Sequence, residues 1–230
     1  MPKVSFPNGR MADIPLTGGI REILARADTL EAQGRRVFHM EIGRPDFDSP
    51  RCAKEAAKQA LDREQVHYTN MAGTEELRWA IADKYRRENH VVADPEEQVV
   101  VTCGAIEALM MTFLTLLEPG DEVIVPSPFF PAYADQIALA GGVLVTVPCR
   151  LEKGFRLQVE DLEAALTPRT KLVLLNTPNN PSGAVLTRND LEQIGELARR
   201  RGFWILSDEC YEKFLYEGNH LSIASLPDMA

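Results

Sequence analysis

What this 230-residue chain has little of narrows its function first. Basic residues are in deficit: 25 Lys and Arg stand against 34 Asp and Glu, a net charge of −9 with His neutral. An acidic surface argues against nucleic acid and anionic membrane as main partners, while leaving room for a local basic pocket that takes a phosphate. Cysteine is sparse. Cys52, Cys103, Cys149 and Cys210 form no pair with metal-ligand or redox spacing, which excludes a zinc site and a disulfide framework and predicts free thiols in a reducing compartment. Long apolar runs are missing too. The longest, Ala108–Leu117, is broken by Thr112 and Thr115 and is too short to span a membrane. The first residues, MPKVSFPNGRMADIPLTGG, have no apolar core of a secretory signal. The expectation is a cytoplasmic protein with no metal.

What is present is ordinary globular composition, 45% hydrophobic and 26% charged, enough for one substantial core or a domain and a half. The stretch Lys171–Phe214, KLVLLNTPNNPSGAVLTRNDLEQIGELARRRGFWILSDECYEKF, organises the rest. Two apolar runs, Leu172–Leu175 and Phe203–Leu206, flank a helical segment. Each gives way to polar residues at its C-terminal side. That is the pattern of two buried parallel strands joined by a crossover helix. Pro178 and Pro181 exclude helix around them, and Pro-Ser-Gly reads as a turn. Thr187 is the N-cap, Asp190 suits the first turn, and Leu191, Ile194, Leu197 and Ala198 share a face. Arg199–Arg201 complement the dipole before Gly202 ends the helix. Ligands bind beyond the carboxyl ends of such strands. Asn176, Asn180, Asp208 and Tyr211 are therefore expected on one rim, facing one pocket.

The rest of the chain repeats the alternation. Residues 1–17, with Pro2, Pro7 and Pro15, read as irregular. Helices are predicted from Gly19 towards Gly34, over Ala53–Leu61, and from Thr74 with Leu77, Ala80, Ile81 and Tyr85 on one side. Strands are predicted over Arg36–Ile42, Gln98–Thr102, Glu122–Val125 and Gly142–Val147. Between Gln98–Thr102 and a helix that is apolar almost all round lies Gly104-Ala105-Ile106, and strand, glycine, helix N-terminus is a generic anion site. Read alone, Gly43-Arg44-Pro45-Asp46-Phe47 is a forced bend, Tyr68 a packing residue with a wet hydroxyl, and Phe129-Phe130 an apolar wall between prolines. Strands separated by helices at least four times over define an α/β class: a mainly parallel, doubly wound sheet between helical layers.

NTPNNPSG, a helix, then SDECYEKF closely resembles the signature of the class I/II aminotransferases, fold-type I enzymes that use pyridoxal 5′-phosphate (PLP). The resemblance runs from about Gly43 to the end of the chain. It implies a large PLP-binding domain over residues 48–230 and a segment, residues 1–47, contributing to a small domain. It implies that Gly104, Ala105 and Ile106 cup the phosphate and that Phe130 stacks on the pyridine ring. It assigns Asp208 to the ring nitrogen and Asn180 and Tyr211 to the phenolic oxygen. Gly43 and Asn176 then lie near the substrate, and Tyr68 reaches the phosphate of a neighbouring subunit, which implies a homodimer. The reaction implied is reversible transfer of an amino group between an amino acid and a 2-oxo acid. A non-catalytic dimerisation or regulatory module of this fold, and a PLP-dependent lyase or synthase, remain alternatives.

One part that the family requires is missing. Its members hold PLP as a Schiff base with a lysine in a segment beyond SDECYEKF. The lysines here are Lys3, Lys54, Lys58, Lys84, Lys153, Lys171 and Lys213, and none matches that position. Lys213 reads as a surface residue. The family's late arginine, which grips the substrate carboxylate, is missing as well. The chain is expected to be the N-terminal part of such an enzyme and inactive by itself.

Overall fold

The computed structural model describes residues 19–43 and 45–229. The reading of residues 1–17 as irregular therefore lies outside the described residues. The chain divides into two compact units, one over residues 16–70 and the other including residues 71–230.

The first unit carries α1 (Gly19–Ala32) and α2 (Arg51–Asp62), both where the periodicity puts them. The strand expected over Arg36–Ile42 is not formed. Phe38 and Met40 are exposed, and among the described residues no segment offers this stretch a ladder, so its alternation has no sheet there to join.

The second unit holds α3 (Glu75–Lys84), a π-turn at Tyr85–Asn89, α4 (Ala105–Leu116), β1 (Glu122–Ser127), α5 (Ala132–Leu139), β2 (Val143–Pro148), α6 (Val159–Ala165), β3 (Thr170–Asn176), α7 (Arg188–Arg201) and β4 (Trp204–Asp208). The four strands lie in the order β2-β1-β3-β4, and every pairing is parallel. Parallel strands are buried on both faces, and the pleat sends alternate residues to opposite sides. Ile124, Val173 and Leu175 face α6 and α7, packing with Leu162, Leu191, Ile194 and Leu197. Val123, Val125, Leu172 and Leu174 face α4 and α5, packing with Leu109, Phe113, Tyr133 and Ile137. Helix α7 begins as its sequence dictates: Thr187 accepts from the Asp190 N–H while the Asp190 carboxylate accepts from the Thr187 N–H. It ends at Gly202 in the left-handed region, φ 77°.

Three expectations for this unit are corrected. Gln98–Thr102 is no strand: no ladder forms, and the Val101 N–H donates to the Ala72 carbonyl at 2.9 Å. Helix α4 is covered on one side only; Leu109 and Phe113 are buried, but Met111 and Leu114 are exposed, because the sheet lies against one face alone. On α3 the buried residues are Arg78 and Ala82, while Leu77 is exposed. Arg78 owes its place to hydrogen bonds to the carbonyls of Pro95 (2.7 Å) and Glu96 (3.4 Å). Strand β4 is also an edge. Phe203 is buried ahead of it, but Trp204 is 61% exposed. Among the described residues, no helix is long and apolar enough to cross a membrane.

Candidate active site

The sheet order reverses at β1: its successor β2 lies on one side and β3 on the other. Such a switch point opens a crevice at the carboxyl ends of the strands. Here those ends are Ser127, Asn176 and Asp208, and the candidate residues follow from them.

Asp208 closes β4 and is the centre of the cluster. Its Oδ2 accepts from the Tyr133 hydroxyl at 2.7 Å and its Oδ1 from the Cys210 N–H at 3.1 Å. Asn176, buried at the end of β3, donates from Nδ2 to the Asp208 carbonyl at 3.0 Å and accepts at Oδ1 from the Asn180 N–H at 2.7 Å. The Asn180 Nδ2 in turn reaches the Tyr211 hydroxyl at 3.4 Å. Asn176, Asn180, Asp208 and Tyr211 thus share one rim, as the sequence predicts, but not the one pocket expected of them: Asp208 and Asn176 line different clefts. Desolvation, then the adjoining Asp208 carboxylate, pushes the Cys210 thiol up to about 12, so it stays protonated at neutral pH.

Glu209 points elsewhere. It accepts from Ser207 Oγ (2.8 Å) and Ser222 Oγ (2.9 Å), and His220 Nε2 lies 2.9 Å from its second oxygen. The carboxylate is engaged in tying the segment after β4 back to the strand.

The glycine turn lies at the head of α4. Gly104 caps the helix at φ 82°, ψ 168°, a conformation that side chains rarely adopt, and a Cβ there would meet nothing within 4 Å. Backbone geometry, with open space above it, is what sets glycine here. The first N–H groups of α4 have no partner within the helix and point out of its positive end. Ala105 and Asp208 line one cleft of about 510 Å³, together with Ala108, Leu206 and Cys210. Lys84 and Lys213 also line it, but both are engaged. Lys84 bonds Glu212 and Asn89, and Lys213 Nζ lies 2.7 Å from Glu88. Burial works to raise the Glu212 carboxyl, yet Lys84 and Asn89 hold it below its usual range.

Phe130 packs edge-on against Tyr133, centroids 5.7 Å apart at 81°. Tyr133 itself, 1% exposed, was not singled out from the sequence; nor was Gln136, whose Nε2 donates to the Ile106 carbonyl at 2.8 Å. The one local signal is a tyrosine in the first turn of a helix just past the carboxyl end of a central strand. Gly43 and Tyr68 belong to the unit of residues 16–70, where both are exposed, and are not among the residues brought together here.

The family model described as aminotransferase class I and II matches residues 35–229, and the chain belongs to that family. It is similar to aromatic-amino-acid aminotransferase 2 of Thermococcus litoralis, 44% identical over 91% of this chain and 53% of that protein. Against the aspartate/prephenate aminotransferase of Thermus thermophilus it is 46% identical, over 86% of this chain and 51% of that one. In structure it resembles a single mutant of Thermus thermophilus aspartate aminotransferase, with a TM-score of 0.92 at 41% identity, covering 99% of this chain and 58% of that chain. The same enzyme with maleate gives 0.89 at 42% identity, over 94% and 56%. The chain spans about half the length of the curated relatives it matches.

Members of this family depend on PLP, and two parts of that group find matching chemistry here. A left-handed glycine with open space above it and outward amides suits a phosphate. A carboxylate held on both oxygens, beside an amide and a phenol, suits a protonated ring nitrogen and a phenolate.

Proposed function

We propose that this chain forms the phosphate- and ring-binding part of a PLP-dependent aminotransferase that moves an amino group between an amino acid and a 2-oxo acid. The observation that carries the reading is the Asp208 carboxylate, fixed at the end of β4 by Tyr133 and the Cys210 amide. When bound, PLP supplies an electron sink for the substrate carbon; the protein supplies orientation and charge. Asp208 keeps the proton on the ring nitrogen. Asn180 and Tyr211 donate to the phenolic oxygen. The amides of Ala105 and Ile106, opened by Gly104, hold the phosphate, and Phe130 lies against the ring. Asn176 and Gly43 serve the substrate side. The assembled enzyme is a homodimer in which Tyr68 reaches the partner's phosphate, and it works in the cytoplasm.

The test is a cofactor titration. Gly104→Val places a branched side chain at φ 82° over the phosphate turn, so PLP affinity, read by absorbance, should drop at least tenfold while circular dichroism stays unchanged. An unaltered affinity in a folded variant removes Gly104 from the site. A wild-type chain that binds neither PLP nor its amine form sinks the reading as a whole.

A further inference from the structure

The two halves of the proposed cofactor site, the phosphate turn and the ring-nitrogen carboxylate, come from segments about a hundred residues apart in sequence, yet both are anchored to one short helix. From α5, Tyr133 donates to Asp208 Oδ2 at 2.7 Å, and Gln136, three residues on, donates to the Ile106 carbonyl at 2.8 Å. Three residues make nearly one turn, a rise of about 4.5 Å along the axis, so the two side chains leave neighbouring points of one helix face. Both are buried, at 1% and 8% exposed. The same tyrosine braces Phe130 edge-on. One residue therefore touches the carboxylate assigned to the ring nitrogen and the ring assigned to stack on the pyridine.

We propose that Tyr133 is a positioning residue for cofactor chemistry, acting through Asp208; the inference rests on the reading of Asp208 given above. Its hydroxyl occupies one carboxylate oxygen, the Cys210 amide occupies the other, and together they stop the carboxylate from rotating. A donor to a carboxylate favours the anion over the acid. The proton shared between Asp208 and a bound pyridine ring then stays on the ring, where the chemistry needs it. Burial foremost, and the Asp208 charge after it, push the Tyr133 phenol far above its ordinary range, so Tyr133 remains a donor at every working pH and does not itself titrate.

The experiment uses the full chain with pyridoxamine 5′-phosphate labelled with nitrogen-15 in the ring. This ligand needs no lysine to bind, and its ring-nitrogen resonance distinguishes pyridinium from neutral pyridine. Wild type should give the pyridinium position at neutral pH, and Asp208→Asn the neutral one. Should Asp208→Asn keep the pyridinium position, or wild type fail to bind, the reading of the site fails and takes this inference with it. With both controls as expected, Tyr133→Phe, which keeps the ring against Phe130 and loses one oxygen, should move the resonance towards neutral pyridine with affinity changed less than threefold. A Tyr133→Phe resonance at the wild-type position throughout the pH range overturns the inference alone. If Tyr133→Phe does not fold, wild type answers directly. The Tyr133 hydroxyl proton, shielded from exchange, should appear downfield and shift when the ligand binds; a proton indifferent to ligand also overturns the inference.

Discussion

Carboxylates buried against apolar strands are costly unless hydrogen bonds use their lone pairs, and two residues at opposite ends of this sheet meet that demand in different ways. Asp208, half-buried at the exit of β4, is held by a phenol and an amide and lines the cleft of about 510 Å³. Glu122, at the entry of β1 and 3% exposed, is saturated. It accepts from Thr167 Oγ1 at 2.6 Å and from Arg169 Nε at 3.0 Å and Nη2 at 2.7 Å. Its role is structural. Thr167 first, then Arg169, hold its carboxyl below the ordinary 4.5. A folded value depressed in this way gives stability that is present above 4.5 and lost as pH falls through the folded value. Glu122→Gln should therefore flatten the acid limb of stability below pH 4.5, read as the urea midpoint against pH. An acid limb of the same steepness in that variant would assign the loss to other carboxylates. At this scale the placing of Asn176, Asn180, Asp208 and Tyr211 on one rim was legible, because Asn176 and Asp208 end apolar strands and Asn180 and Tyr211 come within four residues of those ends. Tyr133 was not: its meaning comes from a partner 75 residues away, which no local pattern announces.

Among elements, α7 carries the most local information, and there sequence and structure agree. Thr187 and Asp190 cap it reciprocally, Leu191, Ile194 and Leu197 are buried, and Gly202 ends it. Thr187→Ala removes the hydroxyl acceptor and should cost about 1 kcal/mol of stability in chemical denaturation. A loss under about 0.3 kcal/mol would mean that Asp190 sustains the first turn by itself, helped by the Arg156 guanidinium 2.7 Å away. Gln98–Thr102 is the opposite case. Three consecutive valines favour a strand, but that preference is realised only in a ladder, and the Val101–Ala72 hydrogen bond is not continued into one. The same holds for the apolar girdle of α4. Composition predicts burial, but whether something covers Met111 and Leu114 is a tertiary fact. Type and direction of β1 to β4 were readable because a helix separates each strand from the next; their order in the sheet was not.

For the whole molecule, the lysines bound what the chain does unaided. The two on the cleft beside Asp208 are already paired, Lys84 with Glu212 and Lys213 with Glu88. The 230-residue chain incubated with PLP and borohydride should therefore carry no stoichiometric adduct at any single lysine by peptide mass spectrometry. A full adduct at Lys213, accompanied by turnover, would make it the anchoring residue and revise the proposed site. The strand order has a further consequence, for synthesis. β3 settles beside β1, and β4 beside β3, so each strand emerging from the ribosome finds an edge already formed to pair with. After β2 the sheet grows at one edge only, no strand needs to insert between two already paired, and the exposed flank of β4 is the end reached last in vectorial assembly.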